Sequence, residues 1–196
     1  MAPETGIDDI QGNELQDNGI VSHAFIARGI KDTQSAFRFV KQLPYRRNGD
    51  KAALCVVLDE GCGTCSTKHA LLYRLTQEQQ LEGFELFMGI FRMNGDYAPK
   101  LRTVLEEHGL PYIPEAHCYL KYNGTILDCT NERSSAADFL SQLVTETGIT
   151  PEQTGDFKVA FQKQYMQRCI ETEPAFQHIT IEELWAAREV CISLLG

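Results

Sequence analysis

Three residues of this chain combine the types and settings that covalent chemistry needs: Cys65, His117 and Asp128. Cys65 ends Gly61-Cys62-Gly63-Thr64-Cys65, a glycine-broken turn that hands over to a strongly patterned helical stretch. The first turn of a helix offers unpaired N–H groups and a partial positive charge, and both favour a thiolate over a thiol. His117 and Asp128 stand on either side of Asn123-Gly124, the strongest short-range signal for a tight β-hairpin. A cysteine at a helix start, a histidine and an acid on neighbouring strands make a nucleophile, a base and an orienter. The chemistry they suit is acyl transfer at an amide or related bond.

The elements that must position them are readable from pattern. With a two-residue turn at Asn123-Gly124, Tyr122 pairs with Thr125, Leu120 with Leu127 and His117 with Thr130. Side chains alternate faces, so His117, Tyr119 and Lys121 share one face with Ile126, Asp128 and Thr130. Asp128 is then the diagonal neighbour of His117, at roughly 5.5–8 Å between backbones. The opposite face carries Cys118, Leu120, Tyr122, Leu127 and Cys129, and a one-residue slip would spoil both faces. Upstream, the helix starting at Cys65 runs to about Leu75, and Phe84 to Met93 reads as a central strand. Pro99 opens a helix that Gly109 stops.

Asp32 reads as the N-cap of a helix ending before Pro44, whereas Ala52 to Leu58 fits either a buried strand or the approach to the cysteine turn. Ser135 with Asp138 resembles a capping box before Phe139, Leu140, Leu143 and Val144, so the C-terminal third is expected to be helical. Thr150-Pro151 and Thr180-Ile181 open further helices, the last with Leu184, Trp185, Cys191 and Leu195 on its inner side. The polar, acidic, glycine-interrupted residues 1–20 are expected to be a flexible tail, and 21–196 a single α+β domain.

Gly63-Thr64-Cys65, the helix with Ala70-Leu71-Leu72, the strand ending in Met88-Gly89-Ile90, His117-Cys118-Tyr119-Leu120 and Leu127-Asp128-Cys129-Thr130 together resemble the transglutaminase-like cysteine superfamily. The resemblance spans roughly residues 60–131. It implies a papain/transglutaminase-like fold in which a nucleophile helix packs on an antiparallel sheet, here with additional C-terminal helices. It also implies Cys65 as nucleophile, His117 as base and Asp128 as orienter, with a thioester intermediate, hydrolysis or transamidation as outcome, and no cofactor. Two features depart from the family pattern: Cys118 stands where an aromatic residue is common, and the connection from histidine to aspartate is short. A peptide or small amide is the expected substrate, with Tyr112, Tyr119 and the loop holding Pro111 and Pro114 as its wall.

Other readings compete for the same residues. Cys62-Gly63-Thr64-Cys65 before a helix is also the layout of a thioredoxin-like oxidoreductase, with Cys62 attacking and Cys65 resolving. Cys62, Cys65 and His69, with Cys118 or His117, supply a metal-ligand inventory, although no second paired-cysteine knuckle accompanies them and no metal is expected. A non-catalytic interaction module is a further alternative. Cys55, Cys169 and Cys191 lie on apolar stretches and read as core. A formal charge of -9 over 196 residues argues against nucleic acid or an anionic membrane as partner. Seven cysteines without a basic or apolar leader point to reduced thiols in the cytoplasm.

Overall fold

The computed structural model describes residues 6–195, so the first five residues of the expected tail lie outside it. The described elements are helices α1 (Ile20–Ile26), α2 (Thr33–Gln42), α3 (Val56–Glu60) and α4 (Cys65–Glu78), strand β1 (Phe84–Met93), helix α5 (Arg102–Glu107), strands β2 (Ile113–Tyr122), β3 (Thr125–Leu127) and β4 (Leu143–Gly148), and helices α6 (Asp156–Thr172) and α7 (Ile181–Leu195). With 49% helix and 17% strand, this is an α+β protein. Its strands form one four-stranded antiparallel sheet in the order β3-β2-β1-β4.

The chain divides into two compact units. The first takes residues 6–88, Cys118–Ala137 and Thr147–Gly155; the second takes Gly89–His117, Asp138–Glu146 and residues 156–195. Local hydrophobic patterning gives no sign of such a division, because each unit is assembled from segments far apart in sequence.

The first unit is organised around α4. Asp32 caps α2 as its position predicts, accepting the Ser35 N–H at 2.8 Å, and α2 buries Ala36, Phe37 and Val40. Helices α1, α2 and α3 all pack on α4, which buries Leu71, Leu72 and Leu75. The ambiguous run at residues 52–58 is turn followed by α3, not strand. The hairpin has the expected register, Leu120↔Leu127, Lys121↔Ile126 and Tyr122↔Thr125. Asn123 and Gly124 take φ of 50° and 78°, the left-handed values that a two-residue turn demands. β3 ends at Leu127, earlier than the pairing to Thr130 predicts; Asp128, Cys129 and Thr130 continue as a buried, non-strand segment.

Residues 6–19 overturn the tail expectation. Ile10 and Leu15 are buried, the Leu15 N–H donates to the Lys31 carbonyl at 2.7 Å, and the Thr33 N–H donates to the Asn13 carbonyl at 3.0 Å. Gln16 and Gln79 exchange two hydrogen bonds at 2.8 Å each. Polar composition misled here because the segment is held through its backbone, which no composition rule sees. A second correction falls on residues 135–146, which form short 3-10 turns at Ala136–Asp138 and Leu140–Gln142 and then β4, not a helix. The β-branched residues Val144, Thr145 and Thr147 suit an edge strand better than a helix.

The second unit packs α5 and α6 against α7, with Met166, Cys169, Leu184, Ala187 and Cys191 buried. Glu115, itself buried, accepts two hydrogen bonds from Arg188, at 2.6 and 2.8 Å, and a third from Gln162 at 2.8 Å. Burial opposes the charge on Arg188, but the Glu115 carboxylate outweighs it and holds the guanidinium above its ordinary value.

Glu78, at the far end of α4, receives the N–H groups of Val21 at 3.0 Å and Ser22 at 2.6 Å, so its carboxylate satisfies the orphan donors that open α1. Glu78→Ala is expected to lower stability by about 1–3 kcal/mol, a loss set by two stranded donors near a helix terminus. Chemical denaturation checks this; a midpoint equal to wild type would show that solvent serves those donors equally well.

Candidate functional site

The start of α4 depends on a close approach. The Gly63 N–H donates to the Pro44 carbonyl and its own carbonyl accepts from Arg46 N–H, each at 3.1 Å. A Cβ on Gly63 would meet Lys68 Cγ at 2.9 Å and Val57 Cγ2 at 3.0 Å, so the turn lies against the helix it opens only because this residue lacks one. Thr64 is the N-cap. Its N–H donates to the Thr67 hydroxyl at 3.0 Å, and its own hydroxyl accepts the Thr67 N–H at 3.4 Å. Cys65 is therefore the first residue of α4, with only 5% of its surface exposed. Its sulfur lies 4.0 Å from Ser66 Oγ, which in turn lies 3.6 Å from Cys118 Sγ.

One turn along α4, His69 is fully buried and joins two pieces of backbone. The Cys129 N–H donates to Nε2 at 2.7 Å, so that nitrogen carries no proton. The proton sits on Nδ1, which donates to the Cys65 carbonyl at 2.7 Å. Asp128 Oδ1 is 3.5 Å from Nε2, but in this tautomer the two atoms are both acceptors. The same Oδ1 accepts the Thr130 N–H at 2.8 Å. Two of the sequence-derived candidates, Cys65 and Asp128, are thus brought to the same end of α4 within the first unit.

Lys68, also fully buried, donates from Nζ to the Leu43 carbonyl at 2.5 Å and the Thr130 carbonyl at 2.7 Å. Burial pushes its ammonium down to about 8, against the opposing pull of the acidic groups Cys129, Asp128, Cys62 and Cys65 around it. Burial, reinforced by Asp128, pushes the Cys129 thiol up to about 12, so Cys129 stays protonated at neutral pH. Cys169 and Cys191 are likewise raised by burial, to about 12 and about 11. Cys55, half-buried, is raised in the same way.

Cys62 has a different setting. Arg46 Nε donates to its sulfur at 3.2 Å, and Asn48 Nδ2 donates to its carbonyl at 2.9 Å and to Glu60 at 2.9 Å. The hydrogen bond with Cys62 holds the Arg46 guanidinium above its usual value. Cys62 and Cys65 are both free thiols in this structure.

His117 belongs to the second unit. It sits half-buried on β2, its ring edge-on to Phe139 at 4.8 Å and to Phe91 at 6.3 Å. The tyrosines expected to wall a substrate are occupied elsewhere. Tyr119 is fully buried and stacks with Phe87 at 6.3 Å, leaving no surface for a ligand. Tyr112 donates its hydroxyl to Glu173 at 2.7 Å and lies edge-on to Phe176 at 5.0 Å; burial, then Glu173, raises its phenol above the usual value. Among the described residues no group of three His, Cys, Asp or Glu side chains is placed to hold a metal ion, and both nitrogens of His69 are committed.

Sequence reasoning missed the parts played by Lys68, His69 and Arg46. The spacing of His69, four residues after Cys65, places both on one helical face, which was the available signal. Nothing local marked Lys68 as buried, because lysines in helices are usually solvated.

Two outcomes follow from these contacts. His69→Ala leaves the buried Cys129 N–H without an acceptor and opens a cavity, so a stability loss of about 3 kcal/mol is expected in thermal or denaturant unfolding. A loss within experimental error of zero would remove His69 as the tie between helix and strand end. For Lys68, the folded value of about 8 lies below the unfolded value of ~10.4. Between these pH values the unfolded chain holds a proton that the folded one has released, so stability rises with pH on account of Lys68; below about 8 the cost of the buried charge is present in full. Unfolding midpoints of wild type and Lys68→Met, compared across this window, should show a rise in the wild type that the variant lacks. Parallel pH profiles would contradict it.

Comparison of the chain with models of known protein families, with curated proteins and with solved structures gave no match.

Proposed function

We propose that this protein is a cysteine-dependent acyl-transfer enzyme acting on an amide bond, with Cys65 as nucleophile, His117 as base and Asp128 as orienter. The observation that carries the reading is the position of Cys65 as the first residue of a capped, 14-residue helix, where peptide dipoles favour negative charge on sulfur. A second support is that Asp128 is held at the same helix end through the chain segment that His69 and Lys68 fasten. The finer architecture proposed is papain/transglutaminase-like, a nucleophile helix on an antiparallel sheet.

In the reaction, the Cys65 thiolate attacks the amide carbonyl, and the C–N bond breaks as His117 gives its proton to the departing amine. A thioester on Cys65 remains. Water, deprotonated by His117, releases an acid, whereas an amine gives a new amide. The backbone N–H of Cys65, in the first turn of the helix, is the natural first donor to the oxyanion. No cofactor enters this chemistry.

The hydrogen bond from Arg46 to Cys62 favours a second reading, a dithiol oxidoreductase with Cys62 attacking and Cys65 resolving. Site-resolved alkylation of the reduced protein across pH separates the two. Under the first reading Cys65 labels quickly at mildly acidic pH, and His117→Ala slows that labelling by at least about tenfold. Preferential labelling of Cys62, indifferent to His117→Ala, would overturn the acyl-transfer proposal.

A further inference from the structure

At the opposite end of α4 from Cys65, about 20 Å along the helix, a half-open pocket of about 430 Å³ indents the first unit. That volume suits a small organic ligand. Its wall is drawn from three places in the chain: the N-terminal strap, the connection from α4 to β1, and the hairpin turn. The lining contains five carboxamides; Gln79 is bonded to Gln16, and the other four, Gln11, Asn13, Gln80 and Asn123, are exposed and make no side-chain hydrogen bond to other described residues. Two aromatic rings, Phe84 and Tyr122, stack at 4.5 Å and also line it. Both rings are half-buried, so the pair is partly open to a ligand. No lysine, arginine or histidine contributes; Glu82 is the one ionisable acid.

The walls are fixed before any ligand arrives. The reciprocal bonds of Gln16 and Gln79 and the bond from Gln34 Nε2 to the Ile10 carbonyl at 2.6 Å hold the strap in place. The Asn123 N–H donates to the Gly83 carbonyl at 2.8 Å, joining the hairpin turn to the α4–β1 connection. Gln80 is the telling residue. It follows the last turn of α4 with φ of 52°, while the Leu81 N–H reaches back to the Thr76 carbonyl at 2.9 Å. That is the left-handed helix stop where glycine is the usual occupant. The chain keeps a strained glutamine there, and its side chain lines the pocket.

We infer that this pocket is a binding site for a neutral saccharide. Each hydroxyl of a sugar ring donates and accepts, and a carboxamide offers one group of each kind, so a cluster of amides pairs with adjacent hydroxyls. The apolar face of a sugar ring packs on an aromatic surface such as the Phe84–Tyr122 stack. The absence of a basic side chain from the lining selects against phosphate and carboxylate ligands. The inference rests on the lining alone and stands apart from the acyl-transfer reading.

The test is titration of the isotope-labelled full chain with maltose and, separately, N,N′-diacetylchitobiose, read as backbone amide shifts, with glucose 6-phosphate as the anionic comparison. Saturable shifts centred on Gln80, Leu81 and Asn123 are expected with at least one neutral sugar. Gln80→Gly relieves the backbone strain and so should fold at least as stably as wild type. The same change should weaken binding by about tenfold, the loss of one well-placed hydrogen bond. The absence of saturable shifts with both neutral sugars, tighter binding of glucose 6-phosphate, or undiminished binding by Gln80→Gly would each overturn the inference.

Discussion

A single buried imidazole proton sets the geometry on which the start of α4 depends. His69 has two ring nitrogens and, in this environment, one proton; Nδ1 gives it to the Cys65 carbonyl, and Nε2 is left to receive the Cys129 N–H. Both partners are main-chain groups, so the imidazole fastens backbone to backbone. The helix start and the segment after β3 are thereby held together whatever side chains they carry. Asp128 precedes the fastened residue and Thr130 follows it, and Lys68 completes the attachment by donating to the Thr130 carbonyl. Low polarity around these groups strengthens each bond and raises the cost of losing any one of them.

The two units treat buried polar groups differently. In the second, Glu115 meets Arg188 through two hydrogen bonds and Gln162 through a third, an arrangement in which charge and lone pairs are answered together. In the first, a lysine is buried against carbonyls with its ammonium weakened, and Thr130 Oγ1 is buried with no hydrogen-bond partner among the described residues. An unanswered hydroxyl costs on the order of 1–3 kcal/mol. Stability alone would favour an apolar replacement at such positions. Both lie at the end of α4 that carries Cys65.

Elements specified by local signals were legible in the sequence. Asn123-Gly124 set both the hairpin and its register, Thr64 and Cys65 marked the start of α4, and Asp32 marked that of α2, because turns and caps are settled within a few residues. What escaped was decided at long range. The strap at residues 6–19 is held by backbone bonds to Lys31 and Thr33, and the burial of Lys68 is set by carbonyls 25 and 62 residues away in the chain. The stretch from Leu140 to Gly148 carries apolar residues that fit a helix stripe and a strand face equally well, and its place at a sheet edge decided the matter. Tyr119 looked available because alternation placed it beside His117, but a central strand buries both of its faces.

The interleaving of the two units bears on how the chain can be made. Each consists of three separated segments, so the path passes from one to the other five times between the N-terminus and α6. During vectorial synthesis the first unit lacks a piece until Gly155 has emerged, and the second waits for both of its terminal helices. Helix α4 and the hairpin it is fastened to are separated by some of the second unit's chain, so their pairing carries the entropy of closing that loop. Neither unit corresponds to a stretch that a single cut could release. Recombination by exchange of contiguous blocks would therefore break both cores at once.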